Sequence, residues 1–255
     1  MTDIHQSART GYQKNADKYQ SGRPDYAAAS LDWMRDALAI GQSSKVVDLG
    51  AGTGKFTKRI CELSDHVIAV EPVAAMRKTL HANLPQVETL EGNALAIPLP
   101  DQSVDALICA QSFHWFASDM AVNEMARVLR PGGKLGLIWN VRDETVDWVA
   151  AITKLITPFE GDAPRYYKGD WKKPLPSAHF SPLKKQSFAQ SHDGTAEDVI
   201  VNRFLSVSFI AAQDEQVQAD IAEKLRDLAA NHPAIKGKEH VSFPYVTEAY
   251  SATRL

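Results

Sequence analysis

Lys45-Val46-Val47-Asp48-Leu49-Gly50-Ala51-Gly52-Thr53-Gly54 is the stretch whose reading decides the fold. Val46, Val47 and Leu49 form a short β-branched and aliphatic run, the mark of a strand buried on both faces in a parallel sheet. The run stops at a glycine-rich turn. Beyond the turn, Phe56, Ile60 and Leu63 fall at helical spacing. Strand, glycine turn and helix form the first half of a nucleotide-binding βαβ unit, in which backbone N–H groups and a helix N-terminus face the ligand.

The glycine spacing narrows the ligand. A dinucleotide fingerprint needs G-x-G-x-x-G, and the sixth position is Lys55 counted from Gly50 or Thr57 counted from Gly52. Residues 66–72 read as a second strand that ends at Glu71, where nucleoside-binding α/β folds place an acid for the ribose hydroxyls. A carboxylate suits that task because two vicinal hydroxyls can donate to its two oxygens. Pro72 then opens a helix that carries Met76 and Leu80. Residues 86–94 read as a third strand with Asn93 in its terminal turn, and 106–110 as a fourth. Residues 117–130 read as a helix stopped by Pro131-Gly132-Gly133, with a fifth strand over 134–140.

The phrases Asp48-x-Gly50-x-Gly52-x-Gly54 and Arg127-Val128-Leu129-Arg130-Pro131-Gly132-Gly133 resemble the first motif and the pre-strand-five turn of the class I S-adenosylmethionine-dependent methyltransferases. The loop from Pro98 to Asp105 is similar to the family's P-[FL]-x-D-x-x-F-D phrase, with Val104 in place of the usual Phe. The resemblance covers about residues 40–142. It implies a Rossmann-like, doubly wound α/β sheet of the seven-stranded type with S-adenosylmethionine as cofactor and no metal. Tyr19, Arg23, Asp48, Gly50, Ala51, Gly52, Gly54, Glu71, Pro72, Met76, Asn93, Ala94 and Gln111 are the positions it assigns to the cofactor. Tyr19-Gln20-Ser21-Gly22-Arg23-Pro24-Asp25-Tyr26 lies in a polar N-terminal segment that resembles the lid of some small-molecule methyltransferases. A capping helix whose tyrosines only pack is the other reading of that segment.

Organisation and composition bound the rest. Residues 1–40 form N-terminal helices or a lid, and residues 41–255 the cofactor-binding domain. Helical patterns over 147–159, 196–209 and 213–230, and strands over 184–192 and 241–249, place a helical insertion at 195–232, between the last two strands. Trp171 and several prolines between 165 and 182 suit a loop over a site. With 44% hydrophobic residues, a net charge of −3 and two cysteines outside any metal spacing, the chain reads as a cytoplasmic globular protein. The mild acidity argues against a nucleic-acid surface, and no apolar run reaches the length of a membrane span.

Ligands in open α/β sheets sit beyond the carboxyl ends of the strands, so the acceptor should meet the residues after the fourth strand. Gln111-Ser112-Phe113-His114-Trp115-Phe116 carries neither the [DN]-P-P-[YFW] motif of adenine and glutamine N-methyltransferases nor the Pro-Cys of cytosine C5-methyltransferases. The phrase is similar instead to the trans-aconitate methyltransferase-like and quinone-biosynthesis groups, as is Trp139-Asn140-x-Arg142. That likeness implies a small-molecule acceptor. His114, Trp115, Asn140 and Arg142 are its candidate contacts, and Arg142 is the partner for a carboxylate. His114 is either a general base or a wall of the pocket. RNA or protein methylation, and a non-catalytic cofactor-binding regulator, are the rival readings.

Overall fold

The computed structural model describes residues 24–255, so the expected lid residues Tyr19 and Arg23 lie outside the described part. In chain order the elements are α1 (Ala29–Asp36), β1 (Lys45–Leu49), α2 (Lys55–Ile60), β2 (His66–Val70), α3 (Ala74–Asn83), β3 (Glu88–Leu90), β4 (Val104–Ala110), α4 (Asp119–Val128), β5 (Leu129–Arg142) and α5 (Asp147–Ile156). After a segment of short 3₁₀ turns come β6 (Lys184–Gly194), a π-helical turn (Glu197–Asn202) that runs into α6 (Arg203–Leu205), α7 (Ser208–Ala211), α8 (Glu215–Asn231) and β7 (Val241–Thr253).

The strands form one seven-stranded sheet in the order β3-β2-β1-β4-β5-β7-β6. β1 to β5 run parallel, and β7 lies antiparallel between β5 and β6. Val46 and Val47 of β1 pair with Val67 and Ile68 on one side and Ala106 and Leu107 on the other. Both faces are covered, so these strands read as continuous apolar runs. One face packs α1, α2 and α3 through Trp33, Phe56 and Leu80. The other packs α4 and the 3₁₀ segment through Met125 and Trp171. Ser118 caps α4 by accepting from the Ala121 N–H, and Asp214 caps α8 in the same way from Val217.

The Pro131-Gly132-Gly133 turn differs from its expected form. α4 ends at Val128, and Leu129 already has an extended backbone. β5 starts there and bulges between the Val104–Leu129 and Ala106–Lys134 pairs. The bulge is held by the chain's C-terminal end, since Gly132 N–H donates to Arg254 O and Arg254 N–H donates to Gly133 O. A long-range partner extends the strand back over 129–133, which local chemistry reads as the end of a helix followed by a turn.

The helices between β6 and β7 bury their own cluster. Phe204, Ile210, Ile221 and Leu225 close against Trp148 of α5 and against Phe243 and Tyr245, which alternate onto one face of β7. Phe243 is fully buried, and burial of this kind is worth roughly 1.5–3 kcal/mol per large apolar side chain. The insertion is thereby seated at the end of the sheet that faces the site. Among the described residues no helix is long and apolar enough to cross a membrane.

Candidate active site

A cavity of about 680 Å³ opens at the carboxyl ends of β1, β2 and β4, where the order of an open parallel sheet leaves a crevice. One half is lined by Gly50, Gly52, Glu71, Met76, Asn93 and Gln111. The other half is lined by His114, Trp115, Asn140, Lys168, Trp171 and Arg203, with Asp162, Pro164 and Asp170 beside them.

The first half is a cradle of backbone. Gly52 has φ +60° and a Cβ there would face only Met76 Sδ at 3.8 Å, so the loop surface toward the cavity is bare main chain. Gly50 has φ +73° and approaches Ser112 so closely that a Cβ would lie 2.8 Å from the serine Cβ. Ser112 Oγ in turn donates to Leu49 O at 2.8 Å, tying the loop after β4 to the end of β1. Glu71 is buried at the tip of β2, with Oε2 accepting from Gly52 N–H and Oε1 from Val73 N–H, both at 2.9 Å. Each oxygen keeps a further lone pair for a hydroxyl. Burial pushes the Glu71 carboxyl up, and the two N–H groups and the Arg77 charge pull it back down. Asn93 holds Leu95 N–H on Oδ1 at 2.8 Å and lines the cavity with its neighbour Ala94. Gln111 sits at φ +57°, a strained value for a side chain of its kind, and its Nε2 donates to Asn140 O at 3.1 Å.

Three expected contacts stand elsewhere. Asp48 lies fully buried beneath the glycine loop, outside the cavity lining, with Oδ2 accepting from Thr57 Oγ1 at 2.7 Å. Desolvation pushes its carboxyl up to about 7, with the Glu71 charge adding to the effect and the Thr57 bond opposing it. Gly54 faces α3, where a Cβ would meet Leu80 Cγ at 2.9 Å, so its closeness serves packing. Arg142 does not line the cavity either. Its guanidinium lies 5.5 Å from the Phe204 ring centroid and 3.9 Å from Glu144, because the β5 register aims it at the insertion. Ala51 and Pro72 line the cavity with the cradle residues, and Asn140 donates to Asp25 O and accepts from Thr247 Oγ1.

The second half is assembled from distant parts of the chain. Glu160, 7% exposed, accepts from Tyr167 Oη at 2.5 Å and pairs with Lys168 at 3.0 Å and Arg165 at 3.6 Å. This one carboxylate gathers the loop that brings Asp162, Lys168 and Trp171 to the cavity. Trp171 is nearly fully buried, 4.6 Å from the Trp139 ring and stacked on Tyr166 at 5.7 Å. Arg203 comes from the insertion, its Nε donating to Tyr245 Oη at 3.1 Å. Sequence patterns pointed to a covering loop over 165–182 but not to Glu160, Lys168 or Arg203, which sit in no local motif.

A family model described as a methyltransferase domain matches residues 47–137. A methyltransferase-like protein of Schizosaccharomyces pombe is 37% identical over 241 residues, covering 92% of each chain. A methyltransferase of Mycobacterium tuberculosis is 38% identical over 235 residues, again covering 92% of each. Both relatives are described as uncharacterized. The chain belongs to the class I S-adenosylmethionine-dependent methyltransferases. Solved structures share the fold of this methyltransferase at lower identity. A candidate type II methyltransferase of Anaeromyxobacter dehalogenans is 22% identical with a TM-score of 0.67, over 91% of this chain and 97% of that one. The [4+2]-cyclase SpnF is 18% identical with a TM-score of 0.56, over 91% of this chain and 84% of that one. The fold thus also carries a cyclase, and it is the long relatives that tie this chain to methyl transfer. The residues fit the cofactor of the family, S-adenosylmethionine: a bare backbone cradle, a buried carboxylate with lone pairs to spare and an Asn at the third strand tip stand around one cavity.

Proposed function

We propose that this methyltransferase acts on a small-molecule acceptor bearing a carboxylate, in the cytoplasm. Glu71 serves the ribose hydroxyls, Asn93 and Ala94 the adenine edge, and Gly50 to Gly52 the methionine portion. Tyr19 and Arg23, ahead of α1, act in the lid. S-adenosylmethionine supplies the electrophilic methyl group. The chain's own residues orient the acceptor and exclude water around it, which is where most of the rate in such a displacement comes from.

The observation that carries this reading is the second half of the cavity. It is a recess walled by Trp115 and Trp171, lined by the cations Lys168 and Arg203 and by the carboxylates Asp162 and Asp170. Its size falls in the range of small-ligand pockets. Arg203 takes the role expected of Arg142 as a positive charge on the cavity wall, with its Nε already donating to Tyr245 Oη. A carboxylate oxygen is itself the nucleophile and has no proton to lose.

Incubation with methyl-labelled cofactor and three separated fractions of a cell extract, namely small metabolites, RNA and protein, tests the proposal. Label is expected in the metabolite fraction as an ester that mild base releases. Label confined to RNA or protein overturns it. The absence of label in all three, with cofactor binding intact, favours the non-catalytic regulator.

A further inference from the structure

Asn140 stands near the carboxyl end of β5 and lines the cavity. The chain itself engages both ends of its amide. Nδ2 lies 2.9 Å from the backbone O of Asp25, and Oδ1 lies 2.8 Å from Thr247 Oγ1 of β7. A backbone carbonyl only accepts, so the amide nitrogen is the end that faces Asp25, and the Thr247 hydroxyl is the donor to Oδ1. Thr247 is fully buried, and Gln111 Nε2 donates to the Asn140 backbone O at 3.1 Å. The amide is a fixed point on β5, braced from β7 and from the end of β4.

Asp25 is fastened a second time. Its Oδ2 pairs with Arg59 Nη2 of α2 at 2.9 Å, and its Oδ1 accepts from the Tyr26 N–H at 2.8 Å. Pro24 and Tyr26, on either side of it, line the cavity. Segment 24–26 is therefore a stretch of cavity wall pinned by one residue to β5 and to the helix that follows the glycine loop. Its C-terminal end is buried, since Tyr26 meets Phe56 of α2 edge-on at 4.6 Å. The two pins differ from the anchor of the 160–172 loop. Glu160 is buried among its partners, whereas the Asp25 side chain is 59% exposed and the bond from Asn140 is open to solvent. Water replaces exposed partners at little cost, so these bonds break and re-form more readily than those around Glu160.

We infer that Asn140 is a positioning residue that latches segment 24–26 through Asp25, and that release of this latch sets the rate at which the cofactor enters and leaves. Tyr26, packed on Phe56, stays in place as the pivot while Asp25 lets go of Asn140 and Arg59 and Pro24 swings away from the cavity. The methyltransferase must exchange the spent sulfide for fresh S-adenosylmethionine in every turnover, and opening steps of this kind limit kcat in many enzymes. The inference rests on the cofactor half of the reading above and not on its carboxylate acceptor.

Stopped-flow mixing of the full chain with S-adenosylmethionine, without acceptor and read through tryptophan fluorescence, tests the latch in Asn140→Asp and Asp25→Asn. Asn140→Asp keeps the shape and the acceptor for Thr247 but sets an oxygen against Asp25 O. Asp25→Asn keeps an acceptor for the Tyr26 N–H but removes the charge facing Arg59. The two variants change the local charge in opposite directions, so an effect exerted on the cofactor's own charge moves their rates in opposite ways. A latch moves both the same way. Association and dissociation should each speed up by roughly three- to tenfold in both variants, with Kd changed by less than about threefold. Faster dissociation with unchanged association makes the segment an ordinary cofactor contact and overturns the latch. Opposite shifts in the two variants, or rates equal to wild type in both, overturn it as well. Asp25 is an exposed residue, so its variant stays folded and decides the matter even where Asn140→Asp unfolds. Glu71→Ala in the same assay should raise dissociation alone, so a failure of the cofactor placement is read separately from a failure of the latch.

Discussion

The two halves of the cavity are built by different means. The cofactor half comes from the tips of adjacent parallel strands, so each contact follows a strand it can be read from: Gly50 and Gly52 after β1, Glu71 after β2, Asn93 after β3. The half proposed for the acceptor is gathered from a 3₁₀ turn, a loop and an insertion, through one buried carboxylate and one aromatic stack. The first half follows from the order of the sheet, and the second from side chains that tertiary packing brings together. This difference matches the comparisons, in which the family model spans 47–137 and stops short of the loop and the insertion.

If that contrast is right, damage to the acceptor half should leave the cofactor half standing. Trp171→Ala is the harshest case. It empties a site touched by Trp139, Tyr166, Tyr250 and Phe113, and a buried Trp-to-Ala change costs about 3–5 kcal/mol. Denaturant unfolding should show that loss. Calorimetric titration of the folded variant should show cofactor affinity within a few-fold of wild type. A joint collapse of both quantities would mean that the halves form one cooperative unit.

The converse test is Glu71→Ala. It removes the acceptor of the Gly52 and Val73 N–H groups and the expected ribose contact. A loss of about 2–3 kcal/mol in cofactor binding is expected, or roughly 30- to 150-fold in Kd. Unchanged affinity in the same titration would remove Glu71 from the site.

These two variants also mark how far the residues alone could be read. Glu71 was legible because a strand tip fixes both the direction and the neighbours of its last residue. The individual strands were legible through periodicity and glycine turns, and the seven-stranded sheet through the family resemblance that those motifs carry. Arg142 was misplaced because β-strand alternation decides which face a side chain takes, and the seat of the insertion decides what lies on that face. Asp48 sits in the motif with the cavity residues, yet its side chain points the other way along β1, into the core. Glu160 and Arg203 gave no local signal, since their partners Lys168 and Tyr245 meet them only after the chain has folded.

Glu160→Gln probes the acceptor half more gently than Trp171→Ala. The amide keeps the shape and can still accept from Tyr167, but the charge facing Lys168 and Arg165 is gone. Losing that charge beside a buried site should cost about 2 kcal/mol, borne by the loop rather than by the sheet. Amide hydrogen exchange should speed up across 160–172 and stay unchanged in β1, β2 and β4. Faster exchange spread evenly over the whole chain would make Glu160 an ordinary core residue rather than the anchor of one half.

The smallest expected effect concerns Asp48, which belongs to neither half although it lies directly under the first. Its carboxyl is pushed up to about 7 by burial, whereas an unfolded aspartate titrates near 3.9. Between those values the native state binds the extra proton, so stability falls as pH rises from about 4 to about 7 and then levels off. Glu71, also pushed up by burial, adds a fall of the same sign. Asp48→Asn removes the Asp48 share while an amide oxygen can still accept from Thr57 Oγ1. Its amide N–H₂ then occupies the place of Oδ1, which has no partner among the described residues, and that mismatch offsets part of the gain. The net expectation is a variant about 1 kcal/mol more stable than wild type at pH 8, no more stable at pH 4, and with a shallower melting profile between. Cofactor affinity at pH 8 should not move, because the side chain stands outside the cavity. A tenfold loss of affinity in Asp48→Asn would show instead that the charge beneath the glycine loop acts through it on the ligand.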